Sequence, residues 1–96
     1  MNIEYVSRNF QLDDRVRDYA QSKLRKVVKF LEEPVEVRLL VEQTKHRQIA
    51  EFHVAHRFGV LQATEETDQM RDAINLAVDK VEKQARRSRK KFMDKR

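Results

Sequence analysis

Apolar and polar residues alternate over residues 2–8, with Ile3, Tyr5 and Ser7 on one side of an extended chain and Glu4, Val6 and Arg8 on the other. This period of two predicts a short strand with one better-buried side. The period then changes. Val16, Tyr19, Ala20, Leu24, Val27, Val28 and Leu31 recur at three and four residues, which gathers them on one side of a helix of about five turns. Asp13 precedes it as an N-cap, its carboxylate placed to accept from the unpaired amides of the first turn. Pro34, the one proline, lacks an amide proton and clashes with helical backbone, so it ends the helix and starts an extended segment.

Alternation returns after the proline. Val35, Val37, Leu39 and Val41 interleave with Glu36, Arg38, Leu40 and Glu42 and predict a half-buried strand over 35–43. A polar, turn-like stretch follows at 44–48. A further strand is expected over 49–56, with Ala50, Phe52 and Val54 on one side and Glu51, His53 and His56 outside that set. Gly59, the one glycine, marks a tight connection that calls for a positive φ, and residues 60–64 pair back as the last strand. Thr67 or Asp68 caps the final helix, whose apolar positions Met70, Ala73, Ile74, Ala77, Val78, Val81 and Ala85 again keep helical spacing. Glu65, Glu66 and Asp68 are read as acids that favour the positive end of that helix.

The expected fold class is α+β, in the order β-α-β-β-β-α. The strand-helix-strand unit closes with a right-handed crossover, the short turns make the later strands antiparallel, and the sheet is four-stranded and mixed. Each helix has a single apolar stripe, so both should pack on one face of the sheet.

Charge adds a function to this frame. The chain has 96 residues, 21 Lys plus Arg, 16 Asp plus Glu and a net charge of +5. The excess is local: residues 32–79 hold more acids than bases, whereas 12–31 and 80–96 are strongly basic. At about 100° per residue, Lys80, Lys83, Arg87, Lys90 and Lys91 form a row away from the apolar stripe. Arg15, Lys23, Arg25, Lys26 and Lys29 form a second row on the first helix. Cations spaced by a helical turn suit a polyphosphate backbone, and two neighbouring rows would converge on a groove between the helices.

The same residues argue against catalysis. There is no cysteine, hence no disulfide, thiolate nucleophile or zinc-thiolate site. His53 and His56 are an odd number of residues apart and point to opposite faces of a strand, which does not suit a shared metal. One glycine gives no phosphate-cradling loop, and Ser7, Ser22 and Ser88 lie outside any nucleophile elbow. No enzyme activity, cofactor, metal or small-molecule substrate is expected. No run of signal-peptide or membrane-span length occurs in the sequence given, which fits a cytoplasmic protein without a membrane partner.

The string Met70-Arg71-Asp72-Ala73-Ile74-Asn75, followed by Asp79-Lys80-Val81-Glu82-Lys83-Gln84 and the basic end, resembles the ribosome hibernation factors, the family of hibernation promoting factor and ribosome-associated inhibitor A. The first helix, 12–30, and the order of elements are similar as well. The resemblance implies a domain like a double-stranded-RNA-binding domain with an added strand. It would bind the small ribosomal subunit through rRNA, near the decoding centre, and hold ribosomes idle under stress or in stationary phase. RNA-binding positions carry over to Lys23, Lys26 and Lys29 and to Lys80, Lys83, Arg87 and Lys90. Where the family commonly has Asp before the methionine and Tyr after it, this chain has Gln69 and Arg71. The expected organisation is one ribosome-binding domain over 1–96 with a basic tail at 91–96, either a short form or the N-terminal domain of a longer one. A non-ribosomal duplex-RNA module and a protein-interaction regulator of transcription, working through Glu36, Glu42 and Glu51, are the alternatives.

Overall fold

The computed structural model describes residues 2–94, with side chains described for residues 2–88. The elements run β1 (Asn2–Arg8), α1 (Asp14–Val28), β2 (Glu36–Thr44), β3 (Arg47–His56), β4 (Gly59–Thr67) and α2 (Met70–Asp94). The strands lie in the order β1-β2-β3-β4. β1 runs parallel to β2, as the intervening helix requires, and the hairpins β2-β3 and β3-β4 are antiparallel. The strand-helix order and mixed sheet are those the alternating and helical periods imply.

The register explains the core. One side of the sheet carries Val37, Leu39, Val41, Ala50, Phe52, Val54, Leu61 and Ala63, all buried. Against it pack Ala20, Leu24 and Val27 of α1 and Met70, Ala73, Ile74, Ala77, Val78, Val81 and Ala85 of α2, in one apolar cluster edged by Ile3, Tyr5, Tyr19 and Phe30. Both helices therefore cover the same face, and the other face is open. The many alanines on the buried stripes of the two helices let backbone approach closely with little side-chain entropy lost.

Local chemistry sets the ends. Asp13 caps α1 by accepting from the Val16 amide at 3.0 Å. The helix is shorter than its apolar spacing suggests: it ends at Val28, and the amides of Phe30 and Leu31 turn back to the carbonyls of Val27 and Val28, a tightened last turn that still seats both side chains on the core. β4 continues past residue 64 to Thr67, so Glu65 and Glu66 are strand residues whose carboxylates face Lys80 and Arg47. They do not serve the helix dipole, and Asp72 is the acid of the first turn of α2. The cap expected at Thr67 or Asp68 falls later, at Gln69, whose carbonyl accepts from the Ala73 amide. The Thr67 hydroxyl supports that junction by accepting from the Gln69 amide at 3.1 Å.

The hairpin β2-β3 turns on two residues, Lys45 and His46, with Lys45 at φ 52°. Gly59 has φ 152°, the positive value expected of it, with open space where a Cβ would stand; the backbone angle is what selects glycine there. His56 keeps the strand alternation and so falls on the side of Ala50, Phe52 and Val54, not outside that set. Among the described residues no helix is long and apolar enough to cross a membrane.

Candidate nucleic-acid interface on the helical layer

The outer surface of the molecule above the two helices is built on side chains that α1 and α2 cannot bury. On α1, Lys23 is half-buried with Nζ 5.6 Å from the centre of the Tyr19 ring, while Lys26 and Lys29 are exposed. Lys29 Nζ lies 5.7 Å from the Phe30 ring. Tyr19, Lys23, Lys26 and Phe30 are three to four residues apart and share one flank of the helical segment. That flank faces α2, because Arg71 and Arg86 of α2 reach across to Tyr19 and Phe30, their guanidinium carbons 4.9 and 5.3 Å from the two ring centres.

The basic row on α2 is divided by its surroundings. Lys80 turns the other way, toward β4, and pairs with the Glu65 carboxylate; the lysine side chain is 59% exposed and the glutamate 18%. One turn on, Gln84 takes the same direction. Its amide oxygen accepts from the Gln62 backbone amide at 3.1 Å and its amide nitrogen donates to the Gln62 carbonyl at 2.8 Å. The side chain thus occupies the hydrogen-bonding edge of β4 as a neighbouring strand would. Lys83 and Arg87 are exposed and make no ion pair among the described residues. Lys90 lies outside the residues whose side chains are described, as do Lys91 and Phe92.

The two rows therefore lie on the same helical layer of the molecule. Between the α1 row and Lys83 and Arg87 lies a seam made by Tyr19 and Phe30 and roofed by Arg71 and Arg86. The periodicity of each helix alone selects Lys80 and misses Arg71 and Arg86. A wheel gives angles about one axis; which flank meets α1 and which meets β4 depends on how the helix is rotated on the sheet. The signal available in the sequence was Arg71 itself, a cation where the related family commonly has Tyr.

Two groups have pKa values displaced by this packing. Burial raises the Tyr5 phenol above its ordinary value, against the lowering effect of Arg17, and its hydroxyl donates to the Arg17 carbonyl at 3.5 Å. Burial lowers the His56 imidazole, whose Nδ1 accepts from the Phe58 amide at 3.4 Å. Neither lies among the cations above. Among the described residues no three His, Asp or Glu side chains converge as metal ligands would.

The surface just described is extended, cationic and aromatic-edged, a form suited to polyanion binding. The N-terminal domain of Thermus thermophilus Protein Y has a similar structure, with a TM-score of 0.85 and 28% identity over 91% of this chain and 98% of that one. A ribosomal subunit interface protein from Coxiella burnetii shares the fold, with a TM-score of 0.81 and 18% identity over 92% of this chain and 97% of that one. No curated sequence relative matches significantly. The family model described as Sigma 54 modulation protein / S30EA ribosomal protein matches residues 3–93. Over nearly its whole length, and in strand order as well as sequence, the chain belongs to that family.

Proposed function

We propose that this protein is a ribosome hibernation factor that binds the small ribosomal subunit near the decoding site and excludes messenger and transfer RNA from idle ribosomes in the cytoplasm. The observation that carries the reading is the collection of Lys23, Lys26, Lys29, Lys83 and Arg87 on the helical layer of a chain that belongs to a ribosomal protein family. Lys80 contributes through an exposed ammonium already shared with Glu65, and so less than its neighbours. Phosphate contacts supply affinity and register, and a fixed rRNA shape removes any need to read bases. Inhibition follows from occupancy, without chemistry.

Cosedimentation with purified small subunits, with and without competitor duplex RNA and at two salt concentrations, tests the proposal. If about six to eight phosphates are neutralised, affinity falls by roughly three orders of magnitude or more between 50 and 200 mM salt, while competitor RNA leaves binding at low salt largely intact. Loss of binding to the competitor would make the protein a general duplex-RNA module. Salt-insensitive binding would point to the open sheet face and a protein partner.

A further inference from the structure

We propose that Lys23 and Arg71, carried by different helices over the one ring of Tyr19, form a clip for an RNA phosphate that sets the register of the helical layer on its target. The inference rests on the ribosome-binding reading and names a site within it.

The geometry is specific to that end of the seam. Arg71 lies over the Tyr19 ring with its guanidinium carbon 4.9 Å from the centre, and Lys23 Nζ is 5.6 Å from the same centre. Neither cation has a carboxylate partner among the described residues. Two cations gathered at one ring, neither matched by a salt bridge among the described residues, offer an external anion charge from both helices at once. A guanidinium that rests a face on an aromatic ring keeps its in-plane N–H donors, which match two phosphate oxygens. The ring thereby limits the rotamers of both long side chains before any ligand arrives, so less freedom is lost on binding.

The other end of the seam has the same parts in a different state. Arg86 lies over Phe30 at 5.3 Å, but its Nη2 also meets the Glu82 carboxylate at 2.9 Å. Its charge is already partly matched within α2, one turn back. The Tyr19 end is thus the one that gains most from an external anion. Arg71 is exposed at the start of α2, beside the positive end of that helix dipole, which adds to its attraction for a phosphate.

Affinity of the full chain for purified small subunits, measured as a function of salt for four variants, tests the clip. Arg71→Ala is expected to weaken binding about tenfold and to reduce the slope of log affinity against log salt by about one. Arg86→Ala stays within about twofold, since its guanidinium is already shared with Glu82 and has less to offer an external phosphate. Tyr19→Leu keeps both charges and loses their placement, so affinity falls about threefold with the slope unchanged, whereas Tyr19→Phe behaves as the parent. An unchanged affinity and slope in Arg71→Ala, with the parent chain still bound, would overturn the clip and leave the ribosome-binding reading standing. Equal losses for Arg71→Ala and Arg86→Ala would also overturn it. Failure of the parent chain to bind would remove both. Because Arg71 is exposed, its variant does not depend on the core for folding, and a melting curve for Tyr19→Leu separates lost placement from lost structure.

Discussion

The open face of the sheet and the helical layer on its other side use their charged residues differently. On the open face the strand register sets acid beside base: Glu4 and Arg38 meet at 2.6 Å, Arg47 and Glu66 at 3.2 Å, and Glu51 accepts from the Thr64 hydroxyl at 3.0 Å. These pairs lie directly across neighbouring strands or one step along the ladder, where opposite charges match and fields cancel within a few ångströms. On the helical layer Lys23, Lys26, Lys83, Arg71 and Arg87 have no such partners among the described residues, and for Lys23 and Arg71 the Tyr19 ring takes the place of an acid. A cross-strand pair is a local solution to exposed charge. A row of cations on a helix leaves charge unmatched within the described structure, and on the proposed reading this difference marks the helical layer as the face that meets the polyanion.

The sharpest way to break this contrast is to reverse charge on each face in turn. Lys26→Glu, Lys83→Glu and Arg87→Glu together are expected to abolish small-subunit binding, a loss of more than about 100-fold, with the melting temperature little changed. Reversing Arg8 and Arg38 on the open face should alter binding by less than about threefold. Equal losses from the two faces would mean that net charge alone matters and that the surface has no address.

A smaller effect is expected at the boundary between the faces. Gln84→Ala removes both hydrogen bonds to the Gln62 backbone, at a cost of about 1 kcal/mol in urea denaturation given that water replaces them. It also uncovers the edge of β4 to strand pairing. Sedimentation velocity should then show concentration-dependent self-association that the parent chain lacks. A monomer at all concentrations would mean that the ladder edge is guarded by something other than Gln84.

The smallest expected change is at His56. Its pKa is lowered by burial, so the unfolded chain binds a proton near the ordinary imidazole value before the folded chain does. This contribution to stability is present above that value and is lost as pH falls through the folded pKa. His56→Gln should flatten the slope of stability between neutral and mildly acidic pH, measured by denaturant titration, and leave small-subunit binding at neutral pH unchanged. An unchanged slope would place the acid sensitivity elsewhere.

Sequence periodicity carried the fold because each element signals its buried side through spacing alone. Val37, Leu39 and Val41 could face one way only, and Met70 through Ala85 needed a single partner surface. It also placed Lys23, Lys26, Lys83 and Arg87 on the outer surface. It misplaced the ends of α1 and β4, where the competing influences are a tightened turn at Phe30 and Leu31 and ion pairs from Glu65 and Glu66 to groups distant in the chain. It likewise separated Arg71 and Arg86 from the rings they cover.

By itself, then, the sequence determined the order of elements, the core and the presence of surplus cations, since all three follow from which side chains leave water and which stay in it. Only the tertiary structure decided which cations keep an unmatched charge. Helical spacing puts Lys80 and Arg71 on opposite flanks of α2, but only the rotation of α2 on the sheet decides that one flank meets a carboxylate of β4 and the other an aromatic ring of α1. Pairing depends on distances between elements, and no spacing within one helix encodes them.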